Sequence, residues 1–352
     1  MTLLNFRTLD LAPAAQDFLG DVLQGLKQTP KMLAPKYFYD APGMELFEQI
    51  CELPEYYVTR TELSIMADLK PFATTQSRPL AVIELGGASS FKFRHLQRSL
   101  PNIGMYIPVD ICGPALFNEA QLLARDCPEL NVLALCADYQ QLASFPWATY
   151  TAGYTPVVYF PGSTIGNLTR SEAKILLKML RTIVGDHGCM LLGCDLMKSL
   201  KTLIPAYDDA QGVTAAFNLN LLRRINKELG ANFNLEQFRH EIRFNESERK
   251  IEMHLVSQIE QSVDLAGQQI HFAKGESIHT EDSRKFTRHD IETLAAESGF
   301  ALEKWWTDHD DHFAIALLGV NQASRTVHHS VVSSLAHTSA ALAPVGDWAA
   351  GA

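Results

Sequence analysis

Acidic side chains that follow short apolar runs are the first residues of this sequence that could do chemistry, by binding a polar small molecule. The first run, at 81–85, contains Glu84 and leads directly into Gly86 and Gly87. Small residues after a buried strand let a ligand approach the backbone, and a following helix N-terminus favours polar or anionic groups. Later runs end at further polar residues: Asp110, Asp138, the segment 163–167 and Asp195. The pattern predicts a site for a nucleotide-like cofactor.

Tyrosines form a second group of candidate residues, on both sides of a short helix predicted at 44–52. Tyr37 and Tyr39 precede that helix, and Tyr56 and Tyr57 follow it. A tyrosine on a loop offers a pocket an apolar ring and a hydroxyl tip. The spacing of these residues favours packing between domains, and a substrate pocket is the alternative.

The elements that must position these residues alternate between strands and helices. Short links join each predicted strand to the next helix, at 91–100, 114–125 and 171–183. The alternation is typical of a parallel, doubly wound sheet, in which ligands bind at the carboxyl ends of the strands. The predicted strands are 81–85, 104–109, 131–136, 155–160 and 189–194. The acidic residues therefore fall along one edge of the predicted sheet.

A different pattern interrupts this alternation at 200–286 and indicates an α+β insert, because its helix and its strands come in separate groups. Its predicted elements are a long helix at 213–229 and strands at 238–244, 249–258, 262–265 and 269–272. The alternation then returns with a helix at 287–299, for which Thr287 is the candidate N-cap. Two last strands, 301–307 and 312–320, are separated by a short turn, which predicts an antiparallel hairpin.

Composition limits the partners and the location. The chain has 352 residues and a formal net charge of −10, which argues against nucleic acid, because phosphate binding favours a basic surface. No apolar run approaches the roughly 20 residues that span a bilayer, and the first residues lack a signal-peptide pattern. The six cysteines form no C-x-x-C pair, as expected for reduced thiols. We therefore expect a cytoplasmic protein that acts on a small molecule and binds no membrane.

The glycines after the first strand help to choose among cofactors. A dinucleotide site requires G-x-G-x-x-G, which Gly86, Gly87 and Ala88 do not supply, and no phosphate-binding GxxxxGK[ST] loop is present. Asp110 lies 24 residues after Gly86 and suits a ribose diol, and Asp138 could hold an adenine amino group. The Glu-Leu-Gly sequence after the first strand, together with the terminal hairpin, resembles the class I methyltransferases. That resemblance implies S-adenosylmethionine as the cofactor.

Longer motifs resemble the L-histidine Nα-methyltransferase family, which makes hercynine, the first intermediate toward ergothioneine. They include PEYYVTRTE, VIELGGASSFK, PGSTIGNLT, ERKIEMHL, ESIHTEDSRKF and WWTDHDDHFAIAL, in the family's order and spacing from about residue 5 to about residue 320. The resemblance implies three methyl transfers to the α-amino nitrogen of free histidine. It also implies a class I methyltransferase-like doubly wound sheet with a terminal antiparallel hairpin, plus a discontinuous α+β substrate domain. The implied division is 1–60 with 197–286 for the substrate domain and 61–196 with 287–321 for the methyltransferase domain. The resemblance does not cover 322–352, which is rich in Ala, Ser and Val without a clear pattern, and we expect a loosely ordered tail there.

The resemblance also implies roles for individual residues. The cofactor would be bound by Gly86, Lys92, Asp110, Asp138 and Tyr139. The substrate α-carboxylate and amine would be held by Tyr56, Asn167 and Tyr207, and the imidazole by Tyr39, Met253, Glu281 and Ser283. No residue is assigned as a strong base, because an ammonium can lose its proton to water or to a nearby carboxylate or phenol. Orientation of the amine by Asn167 and Tyr56 would suffice.

Several alternatives remain open at this point. The family commonly has Ser-Gly-Thr-Ser-Glu-Lys after its first glycine, whereas here 87–91 reads Gly-Ala-Ser-Ser-Phe before Lys92. A non-catalytic binding module, or an N-methyltransferase for another amino acid or an indole-bearing amine, is the alternative function. Glu281 and Ser283 could instead form a capping pair for the helix that follows them. His309 and His312 lie among aspartates and could suggest a metal, but a solvated turn is the favoured interpretation.

Overall fold

The computed structural model describes residues 5–11, 16–69 and 78–321. The strands of this part of the chain are β1 (Phe6–Asp10), β2 (Lys31–Met32), β3 (Leu80–Leu85), β4 (Ile103–Asp110), β5 (Asn131–Cys136), β6 (Thr155–Phe160), β7 (Cys189–Asp195), β8 (Phe238–Asn245), β9 (Lys250–Ser257), β10 (Gln261–Leu265), β11 (Gln268–Phe272), β12 (Ser277–Arg284), β13 (Phe300–Thr307) and β14 (Phe313–Val320). The α-helices are α1 (Gln16–Leu26), α2 (Ala41–Glu52), α3 (Tyr57–Asp68), α4 (Phe91–Ser99), α5 (Gly113–Asp126), α6 (Trp147–Tyr150), α7 (Arg170–Val184), α8 (Leu200–Leu203), α9 (Val213–Leu229) and α10 (Arg288–Glu297). The tail predicted at 322–352 lies outside the described residues.

The central sheet has the strand order β1-β5-β4-β3-β6-β7-β14-β13. Its strands are parallel except β14, which is antiparallel to both β7 and β13. All six residues of β3 are buried, which explains why this strand is one continuous apolar run. The order reverses on the two sides of β3, so the glycine turn after β3 lies where such sheets bind ligands. The predicted doubly wound sheet with a terminal antiparallel hairpin is confirmed, and its five predicted parallel strands end within one residue of those observed.

One strand of this sheet was not predicted. β1 pairs in parallel with β5 at the edge of the sheet, and most of its residues are exposed or half-buried, so no apolar run marks it. The Asn5 amide fixes it by donating to the carbonyls of Ala124, Cys127 and Leu130, at 2.9–3.3 Å. Residues 6–10 therefore form part of the central sheet. The proposed domain division stays a prediction.

Three strands of the insert form a second sheet with β2 of the N-terminal segment, in the order β2-β12-β9-β8, and β10 and β11 of the insert form a separate hairpin. The four strands predicted within the insert are confirmed as β8 to β11. β12 was missed because its sequence, SIHTEDSR, is almost entirely polar. Thr287 caps α10 through a reciprocal pair of hydrogen bonds with Asp290. Glu281 and Ser283 lie within β12 and are not that cap, so the capping-pair alternative is wrong.

Helix α9 packs between this second sheet and the N-terminal segment. Phe217 stacks on Phe38, with ring centroids 4.6 Å apart, and it also meets Tyr39 edge-on and Phe47 at a tilt. The neighbouring Asn218 is fully buried, donates to the carbonyl of His254 and accepts from the hydroxyl of Thr280. Aromatic packing and a satisfied polar contact therefore hold the tyrosine-rich segment against the insert.

The described residues contain no helix with both the length and the hydrophobicity that crossing a bilayer requires.

The aromatic packing of α9 gives the first prediction. Phe217→Ala should lower the free energy of unfolding by about 3–5 kcal/mol, because it removes a buried ring and leaves a cavity. Denaturant unfolding measures this loss. The control is Phe91→Ala, where the ring is 51% exposed, and there we expect a change below about 1 kcal/mol. Equal losses in the two variants would contradict this packing role.

Candidate active site

The turn after β3 is built around two glycines. Gly86 has φ of +79°, a conformation that glycine adopts without strain. A Cβ on Gly87 would lie 2.7 Å from the Cβ of Pro108, so no side chain fits there without a shift. The backbone amides of both glycines donate to the carbonyl of Val109, at 2.9 and 3.1 Å. The turn is thus pinned to β4, and its backbone remains close to the edge of the sheet.

Two of the four strand-end acids are buried within the protein and do not face a ligand edge. Glu84 is 1% exposed and accepts a 2.8 Å hydrogen bond from the hydroxyl of Tyr106, and burial raises the pKa of its carboxyl to about 8. Asp195 is fully buried. Only Asp110 and Asp138 remain half-buried at the edge. The sequence pattern correctly placed four acids near strand ends, but it did not separate the structural pair from the candidate ligands.

Asp110 is the last residue of β4, and Asp138 lies two residues after the end of the neighbouring strand β5. Asp110 accepts a 2.8 Å hydrogen bond from the backbone amide of Cys112, and burial raises the pKa of its carboxyl. The Nζ of Lys36 lies 3.5 Å from one oxygen of Asp138. The side chain of Tyr139 lies outside the described part of the structure.

Lys92 is held by a residue that the sequence analysis missed. Its Nζ lies 2.7 Å from the carboxylate of Glu62, which is fully buried on α3. Glu62 also accepts the backbone amide of Gly162, at 3.1 Å to each oxygen. A signal for Glu62 was present, because it lies four residues after Val58 and four before Met66, on the buried face of the helix. Through Glu62, the side chain of Lys92 on α4 is linked to the loop after β6 that contains Gly162.

The residues at this edge fit the cofactor that the sequence analysis expected. S-adenosylmethionine carries a carboxylate, a ribose diol and an adenine amine. Lys92 supplies a cation near the glycine turn, and Asp110 and Asp138 supply acceptors at the next two strand ends. These side chains therefore offer complementary groups for the carboxylate, the ribose diol and the adenine amine of that cofactor.

On the substrate side, Asn167 and Glu281 are brought together across 114 residues of sequence. Asn167 ends the short 3-10 turn after β6, and its amide donates a 3.0 Å hydrogen bond to Glu281 on β12. Burial raises the pKa of the Glu281 carboxyl to about 7, although Lys285 and Asn167 partly oppose that shift. Met253 is buried directly across from Glu281 on β9 and presents an apolar wall beside it.

Ser283 and Tyr207 form a second contact on the same face of β12. Their hydroxyl oxygens are 2.7 Å apart, and each accepts a 2.8 Å hydrogen bond from the Nζ of Lys285. Lys285 is fully buried and also donates to Asp195, at 2.6 Å. Sequence reasoning named Asp195 only as a strand-end acid and missed Lys285. The one sequence signal for Lys285 was its period-two spacing, since residues 281, 283 and 285 fall on one side of an extended chain.

The other oxygen of Asp195 completes this buried cluster. Lys198 and the hydroxyl of Tyr57 both donate to Asp195, at 2.5 and 2.9 Å. Burial opposes ionisation of Asp195, yet Lys285 and Lys198 hold the pKa of its carboxyl below the ordinary value. Tyr57, the first residue of α3, is therefore part of this buried cluster and does not line a loop-formed pocket.

The remaining tyrosines divide between packing and the candidate pocket. Tyr37 is buried and donates to Asp21 at 2.6 Å, which fits a packing role. Tyr56 meets the ring of Tyr207 edge-on, with centroids 6.4 Å apart. Tyr39 is half-buried and packs edge-on against Phe47. Tyr56 and Tyr207 thus adjoin the β12 face, and Tyr39 lies beyond them in the aromatic cluster.

The hairpin turn between β13 and β14 contains the cluster that could suggest a metal. Ligand atoms of Asp308, Asp310 and His312 lie within 4.8 Å of one another. Asp308 accepts the backbone amides of Asp310 and Phe313, at 3.1 and 2.8 Å. These bonds account for Asp308 as a turn residue, and the solvated-turn interpretation stays a prediction.

Burial of Glu281 predicts that the wild-type protein loses stability as pH rises, whereas Glu281→Gln does not. An unfolded glutamic acid ionises near 4.5 and folded Glu281 near 7, so the folded state binds more protons between these values and loses stability as pH rises. Glu281→Gln removes this loss and still accepts from Asn167. We expect it to raise the free energy of unfolding by about 1–3 kcal/mol at pH 8 and by less at pH 5.

Urea unfolding at both pH values measures this difference. Glu129→Gln, at an exposed position, is the matched control and should change stability little at either pH. A gain for Glu281→Gln that is the same at pH 5 and pH 8 would mean that the carboxyl is not destabilised by burial.

Comparison with known proteins gives matches over most of the chain. A family profile described as "Histidine-specific methyltransferase, SAM-dependent" matches residues 18–320. The histidine N-alpha-methyltransferase of Mycolicibacterium smegmatis is 37% identical over 323 residues, which is 90% of this chain and 98% of that protein. The Mycobacterium tuberculosis protein of the same name is 37% identical over 303 residues, covering 84% of this chain and 93% of that protein.

A more distant relative is the ergothioneine biosynthesis protein 1 of Neurospora crassa. It is 26% identical over 337 residues, which is 92% of this chain and 36% of that longer protein. The family profile and the two bacterial relatives decide the classification. The chain belongs to the SAM-dependent, histidine-specific methyltransferase family.

Proposed function

We propose that this protein transfers three methyl groups from S-adenosylmethionine to the α-amino nitrogen of free L-histidine, giving hercynine. Family membership supports the reaction class and the substrate. The observation that carries the choice of substrate is the polar face of β12, where Glu281 bonds to Asn167 and Ser283 bonds to Tyr207. An imidazole ring has two nitrogens, and this face offers it a carboxylate and a hydroxyl two residues apart.

The cofactor side of the proposal assigns Lys92 to the carboxylate of S-adenosylmethionine and Asp110 to its ribose. Asp138 and Tyr139 are assigned to the adenine, and Gly86 lets the cofactor approach the backbone. When bound, S-adenosylmethionine supplies an electrophilic methyl group on a sulfonium sulfur. The protein then has to bind, align and exclude water, which is consistent with a site that has no nucleophilic Ser-His-Asp set among its proposed residues.

The substrate side assigns Tyr56, Asn167 and Tyr207 to the α-carboxylate and amine. Tyr39, Met253, Glu281 and Ser283 are assigned to the imidazole. Asn167 already donates to Glu281 at 3.0 Å, which supports placing its amide within reach of the bound histidine. Histidine binding would exchange this internal bond for contacts to the substrate, at little net cost in hydrogen bonds.

The α-amine must be neutral to attack the methyl group. Its proton can leave to water or to a nearby carboxylate or phenol, so no dedicated base is required. Repeated methylation adds a demand, because mono- and dimethylated amines must also fit. We propose that Asn167 and Tyr56 move from direct to water-mediated contact as the amine gains methyl groups.

We propose a cytoplasmic location and a small molecule as the partner. All six cysteines are free thiols, as a reducing compartment favours. The formal net charge of −10 is unfavourable for binding nucleic acid or an anionic membrane surface.

Mass spectrometry of reactions with each of the twenty amino acids and S-adenosylmethionine tests the proposed function. We expect a shift of three methyl groups for histidine alone. Glu281→Ala should lose selectivity for histidine, because a site built to hydrogen-bond a ring rejects other rings through its own unpaired groups. The matched control is Glu252→Ala, since Glu252 lies on the neighbouring strand β9 and pairs with Lys250. Methylation of tryptophan or another amino acid in preference to histidine, or no methylation, would overturn the proposal.

A further inference from the structure

Lys285 uses every donor that its ammonium group has. Its three hydrogen bonds reach the carboxylate of Asp195 and the hydroxyls of Tyr207 and Ser283, at 2.6, 2.8 and 2.8 Å. Its side chain is fully buried and the ion pair with Asp195 keeps it charged. A lysine ammonium has three donors and no acceptor. The two hydroxyl oxygens must therefore both act as acceptors toward Lys285.

This arrangement limits what the hydroxyl pair can offer a ligand. Tyr207 and Ser283 have one proton each, and their oxygens are 2.7 Å apart, so one proton lies between them. Whichever hydroxyl donates to the other has no proton left. The pair therefore presents a single O–H to the pocket, and the other hydroxyl can only accept from the ligand.

We propose that Lys285 is a positioning residue that directs the one remaining O–H, that of Tyr207, toward the α-carboxylate of histidine. The inference rests on the proposed function, which assigns Tyr207 to that carboxylate. A hydroxyl that accepts a bond from an ammonium is polarised and becomes a stronger donor to an anion. Ser283 then donates to Tyr207, and its remaining lone pair accepts an N–H of the imidazole ring.

The structure provides a matched control for Lys285. Lys198 also pairs with Asp195, at 2.5 Å to the other oxygen, and its side chain is 6% exposed. Its recorded hydrogen bonds reach Asp195, the hydroxyl of Tyr57 and the carbonyl of Leu196. Replacing either lysine by methionine removes one positive charge from the same carboxylate. Only Lys285→Met also removes the donor to Tyr207 and Ser283.

The test measures L-histidine binding by calorimetry to protein saturated with S-adenosylhomocysteine. Lys285→Met should weaken histidine binding by about 10- to 100-fold, the loss of a charge-assisted network to a bound carboxylate. Lys198→Met should change it by less than about 3-fold. In both variants the affinity for S-adenosylhomocysteine should stay close to that of the wild type. In steady-state kinetics, the KM for histidine should rise in Lys285→Met more than kcat falls.

A double-mutant cycle separates positioning from a general structural role. Tyr207→Phe should weaken histidine binding strongly in the wild-type background and much less in the Lys285→Met background, because the two changes remove one function. If Lys285→Met does not fold, the double variant Asp195→Asn/Lys285→Met keeps the net charge of the cluster. That double variant then takes the place of Lys285→Met in the cycle.

The outcomes are distinguishable. Wild-type protein that binds no histidine would overturn the proposed function and this inference together. Wild-type protein that binds histidine, with Lys285→Met binding it equally well, would overturn this inference alone. Equal losses in Lys285→Met and Lys198→Met would assign the effect to the charge of Asp195 and would also overturn it. Additive losses of Tyr207→Phe and Lys285→Met in the cycle would overturn this inference as well.

Discussion

The buried carboxylate of Asp195 is the constraint on which the candidate site depends. It ends β7 of the central sheet and is surrounded by Lys285, Lys198 and the hydroxyl of Tyr57. Removing one partner from a buried ion pair typically costs about 3–5 kcal/mol, because the other charge is left uncompensated. The cluster therefore fixes where the chain after β12 meets the central sheet. The backbone amide of Phe286 reinforces this by donating to the carbonyl of Asp195, at 2.9 Å.

The loop after β6 joins the residues assigned to the cofactor to those assigned to the substrate. Its Gly162 amide donates to Glu62, the partner of Lys92, and its Asn167 donates to Glu281. Between them, the hydroxyl of Ser163 accepts the backbone amide of Asp195, at 2.9 Å. One short loop thus contacts the carboxylate that pairs with Lys92, Asp195 of the buried ion pair, and the carboxylate assigned to the imidazole. A fixed spacing between two bound reactants is what an in-line transfer requires of a protein.

The sequence predicted the central sheet well because its inner strands are buried on both faces and are therefore continuous apolar runs. It failed at β1 and β12 for a physical reason. β1 is a half-exposed edge strand, and β12 turns polar side chains inward, so neither has the expected hydrophobic pattern. Local spacing likewise gave no pairing for Lys285 with Asp195, which are 90 residues apart. The proposed roles of Tyr56, Asn167 and Glu281 came from family resemblance, and the structure adds which of these side chains touch.

The central claim is that polar groups on β12 meet both nitrogens of the substrate imidazole. The most direct measurement compares kcat/KM for L-histidine with that for L-histidine methylated at Nπ and for L-histidine methylated at Nτ. Each ring methyl group blocks one nitrogen while leaving the amine, the carboxylate and the other nitrogen unchanged. The account predicts that both analogues lose at least about 100-fold in kcat/KM, since each leaves a polar group of the site unpaired. An analogue of either kind that is methylated as efficiently as histidine would contradict it.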